Sequence, residues 1–582
     1  MRRVLLAVLL LGAVVAVPTA ARAADKKVTF TVGQLQNVDS LNVTIGGLVI
    51  DYEIWNLIWP SLTNMAAKDF SPEPSMAESW KSSNNGLTWT YKMRSGMKWS
   101  DGQPMGADDV KYTIDRANLE QWNSHITTTS NLKAKVVDAN TLEITTSVPD
   151  PRLPALGVYV IPKHIYEKIS GADLPNYEAK DKVGGGPFML DEVQTEFTRL
   201  VRNPNWFGKK PAIDEVIFRF YADQNAQFQA LKSGELDALD GVPEQSYASI
   251  ENSGTIQGIA GNQGGFTEMS MNSGCSSSPG DGNPALHDKK VRQAINYAID
   301  RSLLVEKNLV GHGIPGTAIV PSADPSWDLK IAADKLYKYN PDKAKSLLDA
   351  AGWKDSNGDG VRDKGGKDLK LRLFDRTQGE GGKNTDFIVG WLKDVGIATD
   401  VTSMDDDALT AVVGQNKFDL FIWGWVPFVD PDPELSYFTK SQATTDPEAV
   451  GYNDANWCND KYDKLYDQQH TELNPAKRHD IVQKMLEIFY DEAPYAVLYK
   501  YDDLQAIRSD RWENFVRQPE KTGPVLFTNT SPAYLELRPK GSGSGSGTPA
   551  GLWAGIGVAA VAIAGGGLWF RSRRKGSDDE RE

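Results

Sequence analysis

The chain has 582 residues, 40% of them hydrophobic, and a formal net charge of −14. A chain of this length exceeds one ordinary domain and suffices for two or three lobes, each with its own core. The negative charge argues against nucleic acid or an anionic lipid surface as a partner, because an acidic protein is repelled by both.

The N-terminus predicts a secretory signal peptide over residues 1–23. Arg2 and Arg3 precede an unbroken apolar run over 4–17, and 21–23 read Ala-Arg-Ala, a small-x-small cleavage site. The body that follows is therefore expected to be exported.

Hydrophobic periodicity predicts a mixed α/β body without internal repeats. Alternation of apolar and polar residues predicts strands, and apolar residues at helical spacing predict helices. The predicted strands lie at 28–32, 88–93, 188–193, 198–201 and 216–220, and 133–146 alternates again around a turn at 138–140. The predicted helices lie at 50–62, 108–117, 224–231, 291–310 and 341–351.

The chain has two cysteines, Cys275 and Cys458, both in the part expected to be exported. An oxidising compartment permits a disulfide between them, and two free buried thiols are the alternative. The sequence leaves both open.

An acidic loop resembles the first part of a calcium-binding loop. Its oxygen-bearing side chains alternate as calcium ligands do, but the twelfth position is Gly366 instead of a bidentate glutamate. A polar turn without metal is therefore favoured over a weak calcium site, and no cofactor is expected. The candidate ligands are Asp355, Asn357, Asp359 and Asp363.

The segment 419–432 is rich in aromatic residues and ends in Asp-Pro pairs, which predicts a buried strand that emerges into a loop. Trp423 and Trp425 are two residues apart, so on a strand both face the same side. Either both line a ligand cleft or both belong to the core. Together with Phe428 their rings are suited to stack on a sugar or another planar ligand.

The C-terminus predicts a membrane anchor. Residues 541–550 form a glycine-rich linker, 551–570 form an uncharged apolar segment, and 571–582 form a charged tail. The apolar segment is long enough to span a hydrocarbon layer of about 30 Å as a helix. Basic residues directly after it place the tail in the cytoplasm. This predicts a single-pass protein of the cell membrane with the binding domain outside, on the extracellular or periplasmic face.

Four blocks carry a family resemblance. They are the segment 74–110, which contains Gly86-Leu87-Thr88-Trp89 and Trp99-Ser100-Asp101-Gly102, and the shorter segments 203–206, 232–237 and 288–301. Together they resemble family 5 of the extracellular solute-binding proteins, the oligopeptide- and dipeptide-binding proteins of ABC importers.

The resemblance implies an α/β fold, a two-lobed periplasmic-binding-protein-like clamp with mixed sheets and an extra domain. In such a clamp, ligand held between the lobes stabilises the closed form. The implied division is lobe I at 24–63, 184–272 and 506–540, extra domain II at 64–183, and lobe III at 273–505.

The resemblance also implies that the 419–432 strand and loop line the cleft. Peptide binders of the family carry an aspartate after the tryptophan, which neutralises the amino terminus of the ligand, and Phe428 occupies that place here. Asp430 is the expected substitute if the loop shifts. Trp55 is the candidate ligand contact from the first lobe.

The resulting hypothesis is a monomeric, extracytoplasmic binding protein that delivers a peptide or another small polar solute to an ABC permease. No HExxH pair or GxSxG turn is present in the sequence, so no catalytic residue is proposed. The alternatives are a binder of an oligosaccharide or other non-peptide solute, a surface hydrolase, and a ligand sensor that works without a permease.

Overall fold

The computed structural model describes residues 27–542 except 37, 39, 46–48, 121, 123–128, 178–180, 252, 263, 279, 378–380, 444–452 and 527–531. The predicted signal peptide, the linker after residue 542, the membrane-spanning segment and the tail lie outside the described residues. Within the described ranges, no helix is both long and apolar enough to cross a membrane.

The strands of the described residues follow one another along the whole body. In chain order they are β1 (Thr29–Gln34), β2 (Thr63–Met65), β3 (Pro72–Pro74), β4 (Ala77–Ser83), β5 (Thr88–Met93), β6 (Leu132–Asp138), β7 (Thr141–Thr146), β8 (Phe188–Val193), β9 (Phe197–Arg202), β10 (Glu215–Phe220), β11 (Ala238–Asp240), β12 (Gln257–Gly261), β13 (Phe266–Met271), β14 (Gly313–Pro315), β15 (Asp363–Lys364), β16 (Lys367–Asp368), β17 (Lys370–Arg376), β18 (Ala398–Met404), β19 (Leu420–Trp425), β20 (Tyr495–Tyr501), β21 (Asp503–Ile507), β22 (Trp512–Glu513) and β23 (Arg538–Pro539).

The α-helices alternate with these strands. In chain order they are α1 (Val49–Ile58), α2 (Ala107–Glu120), α3 (Lys163–Tyr166), α4 (Gln224–Ser233), α5 (Glu244–Glu251), α6 (Lys289–Ala298), α7 (Arg301–Asn308), α8 (Pro341–Ala350), α9 (Gly381–Asp394), α10 (Asp406–Gly414), α11 (Asp432–Tyr437), α12 (Asp460–Thr471), α13 (Pro475–Glu492) and α14 (Pro532–Glu536).

Lobe I is built on a seven-stranded mixed sheet in the order β12-β21-β11-β1-β10-β9-β8. The central strand β1 runs parallel to β10 and β11 and buries Phe30 and Val32 completely. The C-terminal return packs on the same core, where the Trp512 ring meets the Phe30 ring edge-on at 4.9 Å between centroids.

Domain II is an antiparallel sheet in the order β4-β5-β7-β6, packed against α2. Its buried residues Tyr91 and Ile144 belong to the same continuous apolar cluster as Phe30 and Val32 of lobe I. Because this cluster is continuous across both units, lobe I and domain II are called here together the lobe I half. Lobe I also has a second apolar cluster of its own, which includes Leu231 and Tyr247.

The lobe III half has its own six-stranded mixed sheet in the order β14-β20-β13-β19-β17-β18. The side chains of β13 alternate, so Met269 and Met271 join the core under α6, α8 and α9. Phe266 faces the opposite side and joins a second core with α12 and α13. Both sheet faces are therefore covered.

The predicted helix over 291–310 is interrupted in the structure. Ile299 is extended (φ −94°, ψ 123°) at the end of α6, and the Asp300 carboxylate accepts a hydrogen bond of 3.1 Å from the Leu303 N–H at the start of α7. The Asp300 side chain caps the start of α7 inside a continuous apolar pattern, so the predicted helix is two helices in the structure.

Two chain crossings join the halves. One runs from β12 to β13 through 262–265, and the other from β20 to β21 through Asp502 alone. The crossings fall earlier than the sequence boundaries at 272 and 506, because β13 pairs within the lobe III sheet and β21 within the lobe I sheet. A Cβ at Gly265 would lie 2.4 Å from the Tyr501 ring, so this crossing requires glycine.

Cys275 and Cys458 form a disulfide in the structure, with a Cα–Cα distance of 5.3 Å. The bond lies within lobe III and connects the segment after β13 to the segment before α12. A hydrogen bond of 2.8 Å from the Cys275 N–H to the Asn456 carbonyl holds the two segments together beside it.

Replacing both cysteines by serine should lower the free energy of unfolding by about 2 to 5 kcal/mol, because the unfolded chain is no longer cross-linked. Urea unfolding followed by tryptophan fluorescence, with intact mass measured before and after reduction, checks this. An unchanged unfolding midpoint in the double variant would contradict it.

Candidate ligand crevice

The strand order brings strand ends from both sheets to the crossings, and we call the space between the halves at this place the crevice. Gly261 pairs with Asp503 at the end of β12, and Phe266 pairs with Trp425 at the end of β19. Because β1 and β11 run in the direction of β12, and β17 in the direction of β19, the carboxyl ends of these strands border the same space. Ligands of open α/β sheets bind outside such carboxyl ends.

Trp423 and Trp425 project from the same face of β19, and both rings are partly buried. The Arg376 guanidinium lies 4.5 Å from the centroid of the Trp423 ring, and the Tyr437 ring lies 5.4 Å from that of Trp425. Trp423 also packs on the apolar cluster of Phe418 and Phe421, and Trp425 packs on the cluster that contains Phe266. Each ring therefore combines core packing with a partly exposed surface, and its role as a ligand contact stays a prediction.

Phe428 lies in the loop after β19 with 47% of its surface exposed, and Val426 is 46% exposed. The Phe428 carbonyl accepts a hydrogen bond of 2.8 Å from the Ala323 N–H, which fixes the loop backbone. The structure therefore presents the Phe428 ring outward from an anchored loop.

Asp430 does not take the place of the missing aspartate. Its two carboxylate oxygens accept hydrogen bonds of 2.7 Å each from the two terminal nitrogens of Arg478 on α13. A bidentate pair of this kind neutralises the carboxylate. The expectation that Asp430 receives a ligand ammonium is corrected accordingly.

Trp55 lies in the core of the lobe I half instead of at the crevice. Its side chain is 0% exposed, and its ring meets Tyr52 at 5.1 Å and Tyr159 at 5.6 Å between centroids. Helical spacing on α1 indicated a buried face but not which body of the protein would cover it.

The carboxylates of the acidic loop accept hydrogen bonds from the loop's own backbone N–H groups. Asp355 accepts hydrogen bonds from the N–H groups of Gly358 and Gly360, at 2.7 and 3.0 Å, and Asp363 accepts from the Ser356 N–H and hydroxyl. In the part of the chain that the structure describes, no group of three or more His, Cys, Asp or Glu side chains is arranged to hold a metal ion. The loop is a turn that is hydrogen-bonded to its own backbone, and the weak calcium site stays the less favoured prediction.

Three acidic side chains behind the tryptophans were missed by sequence reasoning, and we call Glu268, Glu434 and Asp454 the lobe III acid cluster. Burial raises the pKa of Glu268 well above its ordinary value, and the charges of the other two carboxylates raise it further. Burial also raises the pKa of Asp454 to about 7, although the Tyr495 hydroxyl donates a hydrogen bond to it. A lone acid in the otherwise buried strand β13 was the available sequence signal.

An ion pair connects the two halves. Arg152 of domain II donates a hydrogen bond of 3.2 Å to Asp432 at the start of α11, while Asp150 holds the same guanidinium at 2.8 Å. Burial alone would raise the pKa of Asp432, but the His470 hydrogen bond and the Arg152 charge lower it to about 2. The pair is therefore ionised at neutral pH.

Apolar contacts accompany this ion pair. Met65 and Phe70 of the lobe I half pack against Ala323 and Val429 of lobe III. A Cβ added at Gly86 in domain II would lie 2.3 Å from the Leu473 side chain of lobe III. The structure thus has the two halves in contact around the crevice, in a closed arrangement.

Comparison with known proteins shows which family and which proteins this chain resembles. Residues 71–446 match the model of bacterial extracellular solute-binding proteins, family 5 Middle. The oligopeptide-binding protein AppA of Bacillus subtilis (strain 168) is 26% identical over 483 residues, which cover 81% of this chain and 85% of AppA. The glutathione-binding protein GsiB of Escherichia coli (strain K12) is 28% identical over 443 residues, which cover 73% of this chain and 79% of GsiB.

A solved structure gives the same fold. NikZ from Campylobacter jejuni, in complex with Ni(L-His), superposes with a TM-score of 0.72 at 21% identity, covering 88% of this chain and 99% of NikZ. The fold and the crevice define an extracellular solute-binding protein. The chain belongs to family 5 of the bacterial extracellular solute-binding proteins, a family of binding proteins associated with ABC importers.

Replacing Arg152 by alanine should weaken solute binding by about 1 to 2 kcal/mol, because the closed form loses the contact with Asp432, which the open form does not make. The contact with Asp150 lies within domain II and is lost from both forms. The ligand-free protein should also become more expanded. Titration calorimetry and small-angle X-ray scattering measure these two effects.

Arg199→Ala is the matched control, since Arg199 pairs only with nearby acids on the lobe I surface. If Arg152→Ala and Arg199→Ala behaved alike in both measurements, the ion pair would have no part in closure.

Proposed function

We propose that this chain is the extracytoplasmic receptor of an ABC importer, which captures a peptide or another small polar solute between its halves and delivers it to a membrane permease. The observation that carries the proposal is a pair of separately cored halves, joined by two crossings, with the strand that carries Trp423 and Trp425 ending beside them. Membership of family 5 supports the same role.

The proposed mechanism is binding without chemistry. A solute that contacts both halves stabilises the closed form by the difference between its affinities for the closed and open forms. Closure then presents one joined surface, made of both halves, to the permease. Arg152 and Asp432 add a contact that exists only when the halves meet.

The similar proteins do not by themselves indicate which solute this chain binds. The names of similar proteins mention oligopeptides, glutathione and Ni(L-His), which differ widely in charge and size. Phe428 stands where the resemblance implies an aspartate, which weakens recognition of a peptide amino terminus at that point. Exposed Phe428 beside Trp423 and Trp425 keeps an oligosaccharide or another planar solute as the second candidate.

Membrane attachment through residues 551–570 is part of the proposal and rests on the sequence alone. A single apolar helix holds a protein to the membrane more firmly than one acyl chain does. Protease added to intact cells should digest the binding body and spare the segment with its basic tail. Digestion of the tail in intact cells would reverse the proposed orientation.

Mild denaturation of the purified full-length protein should release a solute in stoichiometric amount and chemically unaltered, as mass spectrometry can determine. Trp425→Ala should weaken rebinding of that solute by about 1 to 3 kcal/mol, because a stacked ring loses its contact area. Trp391→Ala is the control, since Trp391 packs on Phe387 on the other side of the lobe III sheet.

Three results would count against the proposal. A cleaved product instead of an intact solute would favour a surface hydrolase. Normal solute uptake in cells that lack the chain would favour a permease-independent sensor. Equal rebinding by Trp425→Ala and Trp391→Ala would assign Trp425 to the core.

A further inference from the structure

The two halves meet at the Asp432 carboxylate, which has hydrogen-bond partners on both of its oxygens. Arg152 of domain II donates to Oδ2 at 3.2 Å, whereas at Oδ1 Gln469 donates at 2.7 Å and the His470 Nδ1 lies at 2.8 Å. The Asp432 side chain is 4% exposed. One buried carboxylate is therefore shared between a cation of the lobe I half and an imidazole of lobe III, and an imidazole changes its charge near neutral pH.

The contact between His470 and Asp432 lies entirely within lobe III. Helices α11 and α12, which carry the two residues, pack in one apolar core, and the Tyr462 hydroxyl of α12 donates a hydrogen bond of 2.9 Å to the Leu435 carbonyl of α11. The His470 ring also stacks on Tyr466, with 5.7 Å between the ring centroids. His470 therefore keeps Asp432 as its neighbour when the halves separate, whereas the guanidinium of domain II moves away.

The other charged groups of lobe III at this place balance each other. The Asp430 carboxylate, just before α11, accepts two hydrogen bonds of 2.7 Å from Arg478 on α13. Burial raises the pKa of Tyr466 on α12, so its hydroxyl stays neutral. These groups move together with His470 and contribute equally to its titration in the open and the closed form.

Closure adds two charged groups from domain II, Arg152 and Asp150. The hydrogen bond to Asp432 raises the pKa of His470 above its ordinary value of 6.5, and the Arg152 charge lowers this pKa by more than the Asp150 charge raises it. Separation of the halves removes both groups of domain II. The pKa of His470 is therefore higher in the open form than in the closed form, because only the closed form has a second cation at the same carboxylate.

We propose that His470 makes closure sensitive to pH, so that a proton on its imidazole favours the open form and weakens retention of the solute. Arg152 transmits the effect, since it is the group that closure brings to the shared carboxylate. The proposal rests on the proposed function and adds regulation of closure to it. Solute binding and proton uptake oppose each other, because they favour different forms of the same protein.

The closed form is most stable, relative to the open form, at alkaline pH, where His470 is neutral in both forms. As the pH falls through the pKa of the open form, the open form takes up a proton first and gains population. Below the pKa of the closed form both forms are protonated, and the effect levels off. Since both pKa values lie above 6.5, the change falls between about pH 9 and about pH 6.

The test measures, by titration calorimetry, the affinity of the stripped full-length protein for the compound that mass spectrometry identifies in its released fraction. Wild type should bind about threefold more weakly at about pH 6 than at about pH 9, which corresponds to a pKa difference of about half a unit. His470→Asn should lose this difference, because its amide nitrogen still donates to Asp432 but takes up no proton.

His164→Gln is the matched control. The His164 Nε2 lies 2.8 Å from an Asp101 carboxylate oxygen, and both residues belong to domain II, so closure leaves this pair unchanged. The variant should keep the threefold difference. Two buried acids titrate in the same range, Asp454 and Glu53 with pKa values of about 7, but both are present in either variant and do not distinguish them.

Arg152→Ala separates coupling to closure from a merely structural role of His470. It leaves the imidazole and Asp432 in place and removes the cation by which the closed form differs from the open form. Its affinity should be lower at both pH values and should lack the threefold difference. If His470→Asn fails to fold, Arg152→Ala is compared with His164→Gln in its place.

Small-angle X-ray scattering gives a second reading that needs no solute. The radius of gyration of the stripped wild-type protein should increase when the pH is lowered from about 9 to about 6, because the open form gains population. The radius of gyration of His470→Asn should stay constant over this range.

Equal pH dependence in wild type and His470→Asn, in affinity and in radius of gyration, would overturn the proposal while leaving a binding function in place. Tighter binding by wild type at the lower pH would overturn it as well. A protein that releases no solute, together with normal uptake in its absence, would instead reject the proposed function. The scattering comparison would then still decide whether His470 controls closure.

Discussion

The constraint on which the structure depends is that, along the described residues, two strand-to-strand crossings, after β12 and at Asp502, connect two bodies with separate cores. Domain II shares its apolar core with lobe I, so it moves with lobe I and not alone. Relative motion is therefore confined to the crossings. Gly265 packed against Tyr501 keeps one of them narrow, and the crevice opens or closes directly beside it.

Charged groups are treated differently at the contact between the halves and inside lobe III. The Arg152 and Asp432 pair joins the two halves, and its charges balance within the protein. The acid cluster belongs entirely to lobe III, and burial raises the pKa of its three carboxyl groups, which favours their neutral form.

Local patterns predicted the strands β1, β5 to β10 and β19 and the helices α1, α2, α4 and α8. The parity of Trp423 and Trp425 predicted their common face. What failed depended on partners distant in sequence. Asp430 is neutralised by Arg478, 48 residues away, and Trp55 is covered by Tyr159 of another domain. The predicted boundary at 272 lies after the crossing, because the alternation of apolar and polar residues looks the same in a strand of either sheet. The sequence did not single out Glu268, because its burial depends on the neighbouring strands β19 and β20.

The most direct test of a hinged receptor is the distance between the halves with and without solute. Spin labels attached at positions 135 in domain II and 477 in lobe III, where Lys135 and Lys477 are exposed, report this distance. The measurement is pulsed electron–electron double resonance on the full chain. The account predicts a broad or long distance distribution in the stripped protein, which narrows to a shorter distance when solute is added. One unchanged distance under both conditions would contradict closure around a ligand.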